Sequence, residues 1–187
     1  FSQATRVLGT SMKSVGEVMG IGRTFDEALL KAISSLEGGY GTSQDCTDQQ
    51  MRERLAIATP DRLPAVFEAM RRGMDATEIG RLTGMDRWFL GRMMDIVAVE
   101  NTLRGRFLSG VSTEELHAAK RMGMPDEHLG MLLACDEASV TARLRAEGIR
   151  PVFKRVDTCA AEFESHTPYL YSTFEEECES GDSPSDR

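Results

Sequence analysis

Apolar residues recur at helical spacing along most of the chain. Phe25, Ala28, Leu29, Ala32, Ile33 and Leu36 fall on one helical face, begun by a Thr24/Glu27 capping box and stopped by Gly38 and Gly39. Leu63, Val66, Phe67 and Met70 follow at i, i+3, i+4 and i+7, which makes residues 62–72 amphipathic. After Asp86 the stripe widens to Phe89/Leu90, Met93/Met94 and Ile96/Val97, so this helix is expected to be the central, most buried one. Further capping boxes at Thr47/Gln50, Asp75/Glu78 and Ser112/Glu115 supply partners for backbone N–H groups that a helix start leaves over. Short helices are expected at about 113–122, 125–134 and 136–147, punctuated by Gly123, Pro125 and Gly148.

The pattern changes at both ends. Residues 12–22 mix small and β-branched residues with glycines, as a strand and turn would. Pro151–Val156 alternates like a strand, and Tyr169–Tyr171 fits a second short one. The predicted fold is all-α: a compact helical domain with short extended flanking segments.

The helical region contains a duplication at an offset of fifty residues. Ala69/Ala119, Arg71/Arg121, Gly73/Gly123, Met74/Met124, Gly80/Gly130, Leu82/Leu132 and Asp86/Asp136 are identical pairs. Each copy reads as helix, Gly-Met turn, short helix and Asp-capped helix, a unit too small to bury its apolar faces alone. Two copies and the helix from residue 25 are therefore expected to share one core, with Phe67, Trp88, Phe89, Leu116 and Leu132 inside.

The net charge of −8 sits at one end: residues 157–187 hold nine acidic residues and one basic, and the rest balances. A balanced surface argues against nucleic acid, whose binding needs a concentrated basic footprint. Residues 75–90 have the look of a helix-turn-helix, the runner-up reading, but 75–106 carry five basic and five acidic side chains. No apolar run approaches the roughly 18 residues of a membrane helix, and Phe1–Ser14 lacks the apolar core of a signal peptide.

Candidate chemistry is sparse. Cys46, Cys135, Cys159 and Cys178 have neither metal-ligand nor disulfide-framework spacing and read as free thiols, in keeping with a cytoplasmic protein. His117, His128 and His166 are isolated, and a Cys159–His166 nucleophile and base would lack a third orienting group. Glu175–Glu177 fits a solvated face better than a metal site. Gly16, Gly20 and Gly22 precede a helix start, which could hold an anion, yet no Gly-Lys-Ser/Thr follows. Neither a catalytic residue, a cofactor ligand nor a metal ligand is assigned to this chain.

Two runs are not explained by helix or strand patterning. Lys154–Phe163 (KRVDTCAAEF) with Tyr171–Glu179 (YSTFEEECE), and Met12–Thr24 (MKSVGEVMGIGRT), together with the helical middle, resemble the large chain of carbamoyl phosphate synthetase between its two ATP-using halves. The resemblance implies that the chain is a piece: residues 1–23 end the first ATP-grasp half, 24–150 form a helical oligomerization domain, and 151–187 connect to the second half. It further implies a parent ligase making carbamoyl phosphate from bicarbonate, glutamine-derived ammonia and two ATP for pyrimidine and arginine synthesis. That parent would use ATP with Mg or Mn, and K, and carry a glutaminase small chain, whereas this segment would be inactive alone and would form a homo-oligomer. The resemblance carries over one residue, Glu17 of the SVGEVM run, as a candidate for the wall of the tunnel that carries the family's intermediates.

Overall fold

The computed structural model describes residues 5–11, 18–36 and 46–181. Glu17, Gly16 and most of the MKSVGEVM run lie outside the described residues. The elements are α1 (Phe25–Ser34), α2 (Asp48–Ala56), α3 (Arg62–Arg71), α4 (Ala76–Thr83), α5 (Arg87–Leu103), a 3-10 turn at Leu108–Gly110, α6 (Thr113–Arg121), α7 (Asp126–Leu132), α8 (Glu137–Ala146), β1 (Val152–Arg155) and β2 (Leu170–Thr173). The two strands pair antiparallel, Val152 with Thr173 and Arg155 with Leu170. The chain is thus mostly helical, as expected. Residues packed on one another fall into two compact units instead of one shared core: described residues of 1–18 and 35–102 form one, those of 19–34 and 103–187 the other.

The first unit holds α2 to α5. Met51, Leu55, Val66, Phe67, Ile79, Leu90 and Ile96 are its fully buried anchors, each of which removes about 1.5–3 kcal/mol of apolar exposure from water. Thr47 caps α2 through the reciprocal pair with Gln50. At α4 only half of the expected box forms: Asp75 accepts from the Glu78 N–H at 2.8 Å, and the Glu78 carboxylate pairs instead with Arg52. Inside this unit the Arg71 guanidinium grips Glu100 with two bonds of 2.7 and 2.8 Å, and Glu100 is fully buried. Removing either partner would strand a charge out of water, the most destabilising way to break such a pair.

The second unit holds α1, α6, α7, α8 and the strands. Leu30, Leu116, Met124, Leu129, Leu133 and Val140 form its centre. The inward face of α1 differs from the expected one: Asp26, Glu27, Leu30 and Ile33 are buried, and Leu36 is exposed. Glu27 turns inward because its carboxylate has donors there, a polar reason that apolar periodicity does not carry. Ser112 and Glu115 form the full expected box, and Arg106 adds two bonds of 2.6 and 3.1 Å to Glu115, which hold that carboxyl down at a pKa of about 2.

The duplication is geometric as well as sequential, one copy per unit. After α3 the Gly73 N–H reaches Met70 O at 2.9 Å and the Met74 N–H reaches Ala69 O at 3.0 Å; after α6 Gly123 reaches Lys120 O at 2.9 Å and Met124 reaches Ala119 O at 3.1 Å. Both are Schellman closures with a left-handed glycine, φ +90° and +97°. One copy departs at the next turn, where Gly84 (φ +72°) is answered by Ala134 (φ +52°).

Two stability measurements follow from this repeat. An added Cβ at Gly73 meets nothing within 4 Å, but at Gly123 it lies 2.9 Å from Glu27 Cα. Gly73→Ala is expected to cost about 1–2 kcal/mol from the left-handed backbone alone, and Gly123→Ala a further ~1–3 kcal/mol from overpacking; equal losses in urea unfolding would refute the difference. Ala134→Gly should stabilise by roughly 1 kcal/mol, because glycine adopts the left-handed turn without Cβ strain, and a lowered unfolding midpoint would contradict it.

Candidate functional site

Two places deserve a chemical reading: the segment leading into α1, and the start of α5. Gly20 and Gly22 press directly on α1. A Cβ at Gly20 would lie 2.1 Å from Ala28 O, and one at Gly22 would lie 2.9 Å from Ala28 N and Glu27 Cβ. The helix start is already served: Thr24 Oγ1 accepts from the Glu27 N–H at 3.2 Å, and Glu27 Oε2 accepts from the Arg23 N–H at 2.7 Å. The glycines therefore serve close approach, and the Glu27 carboxylate ties the Arg23 backbone to the helix. Lys31 completes the cluster by donating to Ile21 O at 2.9 Å, to Ser172 O and to Glu27 Oε1 at 2.7 Å, with the Tyr171 ring 5.6 Å away.

The other sequence candidates separate. No hydrogen bond links Cys159 to His166; the Cys159 thiol neighbours Thr158 Oγ1 at 3.8 Å. Asp157 instead folds its own turn, accepting from the Cys159 and Ala161 N–H groups at 2.8 and 2.7 Å. Within the acidic run Glu176 and Glu177 are exposed, as a solvated face would be, while Glu175 lies 3.3 Å from Arg23; beyond the run Glu179 lies 3.2 Å from Lys154. Among the described residues no group of three or more His, Cys, Asp or Glu side chains could hold a metal ion. All four cysteines are free. Hydrogen bonds from Ser180 and the Phe153 N–H favour the Cys178 thiolate and lower its pKa, whereas burial raises that of Cys135. Among the described residues no helix is long and apolar enough to cross a membrane.

The start of α5 overturns one expectation. Trp88 is 58% exposed and Phe89 42% exposed, not buried. Asp86 caps the helix by accepting from the Trp88 N–H at 2.8 Å, and the inward stripe is Leu90, Met93, Ile96, Val97, Glu100 and Leu103. At 100° per residue Trp88 lies on the far side of the helix from this stripe, whereas Phe89 shares the phase of Met93, Ile96 and Glu100 and is exposed in the first turn of the helix, ahead of the packed stretch. Their rings meet edge to face, 5.1 Å apart at 85°, a rigid apolar pair at the surface. Because charge over 75–106 balances, this pair lacks the basic surroundings of a nucleic-acid contact and has the character of a protein-facing anchor.

Residues 17–148 match the family model described as carbamoyl-phosphate synthetase large chain, oligomerisation domain. Among curated relatives, the carbamoyl phosphate synthase large chain of Halomonas eurihalina is 48% identical over 96% of this chain and 17% of its own length. That of Methanothrix thermoacetophila is 44% identical over 96% of this chain and 17% of its own. The arginine-specific chloroplastic large chain of Arabidopsis thaliana is 41% identical over 96% of this chain and 16% of its own. The chain thus spans about a sixth of the length of these relatives.

The exposure at α5 gives a direct stability test. Phe67, 1% exposed, should cost about 3–5 kcal/mol when changed to Ala, whereas Phe89→Ala should cost about 1 kcal/mol or less. Equal losses in denaturant unfolding would return Phe89 to the core.

Proposed function

We propose a self-association role for this chain, which belongs to the carbamoyl phosphate synthetase large-chain family. The observation that carries the reading is the match of residues 17–148 to the family's oligomerisation domain, together with the exposed Trp88–Phe89 pair. In a longer parent chain the helical units would hold copies together, and the chemistry would reside elsewhere.

That parent would act as the ligase its relatives' names describe, making carbamoyl phosphate with ATP, Mg or Mn, and K, supplied with ammonia by a glutaminase small chain. A cytoplasmic setting fits a biosynthetic enzyme, although the Arabidopsis relative is a chloroplastic one. Glu17 keeps its proposed place in a tunnel wall. Its carboxylate would hold an unstable intermediate by charge and hydrogen bonding.

Light scattering and sedimentation of the chain over a roughly thousandfold concentration range test the reading. Mass should rise with concentration and be indifferent to added DNA duplex; a constant monomer mass, or a salt-dependent duplex shift, would overturn it. One interface substitution tested both here and in a full-length large chain separates a natural contact from one created by isolation. Dissociation of this chain with an unchanged full-length assembly would identify an artefact.

A further inference from the structure

We infer that the outer face of α5 forms an isologous, antiparallel contact between two copies of this chain, with Arg92 of each copy meeting Asp95 of the other. This rests on the self-association reading and gives it a place and a register. Trp88, Arg92, Asp95 and Val99 recur at steps of four, three and four, which puts all four within a wedge of about 60° on the helix. Trp88 is exposed, Asp95 is exposed, and Arg92 and Val99 are half-buried. Leu90, Met93, Ile96 and Val97 face inward on the other side.

Charge complementarity selects a second copy as the occupant. Arg92 Nη1 and Asp95 Oδ2 lie 2.8 Å apart along the same helix, so the stripe presents one positive and one negative group side by side. A two-fold axis at the midpoint of these two residues turns each onto its opposite in the second copy, giving four charges of alternating sign. The same axis brings Trp88 level with Val99 of the second copy, aromatic on aliphatic, at both ends of the stripe. No such match arises from a parallel pairing in register, which would set Arg92 on Arg92 and Asp95 on Asp95.

Gly91 is consistent with a close neighbour. Glycine weakens a helix interior, yet a Cβ added here meets nothing within 4 Å in the chain's own fold. It lies on the flank of the stripe, where its bareness would let the second helix approach.

The test uses Arg92→Asp and Asp95→Arg, alone and mixed. Each alone makes the stripe single-signed and should weaken association by about tenfold or more, while an equimolar mixture should restore association as heterodimers. Wild-type association by either variant alone, or a mixture that fails to restore it, overturns the α5 contact and leaves self-association standing; a wild type of constant mass overturns both. Gly91→Gln provides a second arm. Its thermal midpoint should stay level or rise while association weakens, and unchanged association counts against the contact.

Discussion

In both units a four-residue connection, 72–75 between α3 and α4 and 122–125 between α6 and α7, turns one helix into the next by entering the left-handed region, and the fold depends on that step. Gly73 and Gly123 make it, each followed by a Met whose N–H closes on the carbonyl five residues back. The closure satisfies carbonyls that the helix end would leave over, and it sets the direction of α4 and α7. A second glycine matters one helix later: a Cβ on Gly130 would lie 2.7 Å from Cys135 O, and one on Gly80 3.4 Å from Leu90 Cδ1. The shared Gly73/Gly123 pair thus falls where backbone geometry leaves little choice, while Gly80 and Gly130 differ, with room for a Cβ at the first and none at the second. Between such points the sequence is free to drift.

That freedom shows in the buried charges. In the first unit Arg71 pairs with Glu100 and lies 5.7 Å from the centre of the Phe67 ring. In the second, Lys120 donates to Met124 O at 2.7 Å and to Asp126 Oδ1 at 2.5 Å, with the Phe174 ring 4.8 Å away. The first pair joins α3 to α5, whereas the second braces the turn from α6 into α7, so the two copies carry their buried charges at different places. Desolvated pairs of this kind add little net stability over an apolar pair, but an unpaired member is costly, so they penalise alternative arrangements. Glu27 plays that part at α1, where Gly20, Gly22 and Gly123 all press on the helix and the carboxylate joins the Arg23 backbone to Lys31.

The sequence made the caps, the repeat, the strand pair and most of the apolar core legible, because each rests on short-range spacing. Thr47/Gln50 and Ser112/Glu115 form as written. Phase was harder. On α1, six apolar positions suggested one face, but Glu27 and Leu30 go inside, where Glu27 has partners in the Arg23 N–H ahead of the helix and in Lys31 one turn on. On α5, aromatic residues look like core residues in composition; counting back from Leu90, Met93, Val97 and Glu100 places Trp88 outside but Phe89 inside, so phase does not carry the exposure of Phe89 in the helix's first turn. Their exposure also removes burial as a reason against a helix-turn-helix, leaving the balanced charge to decide. Glu17 lies outside the described residues, so the tunnel reading still rests on resemblance.

An exposed aromatic pair beside a self-complementary charge pair also sets the strength of contact to expect. One helix a side falls at the low end of interface area, below about 1,200 Å², and half-exposed ion pairs contribute direction and register more than affinity. Such a surface makes a weak dimer by itself. In a chain about six times as long, any second contact turns the first into an intramolecular event at an effective concentration near the millimolar range, so weak association would suffice. Low intrinsic affinity is then compatible with an oligomerisation domain. It lets neighbouring parts of a large chain adjust without first breaking a tight interface, while the alternating charges still admit only one register.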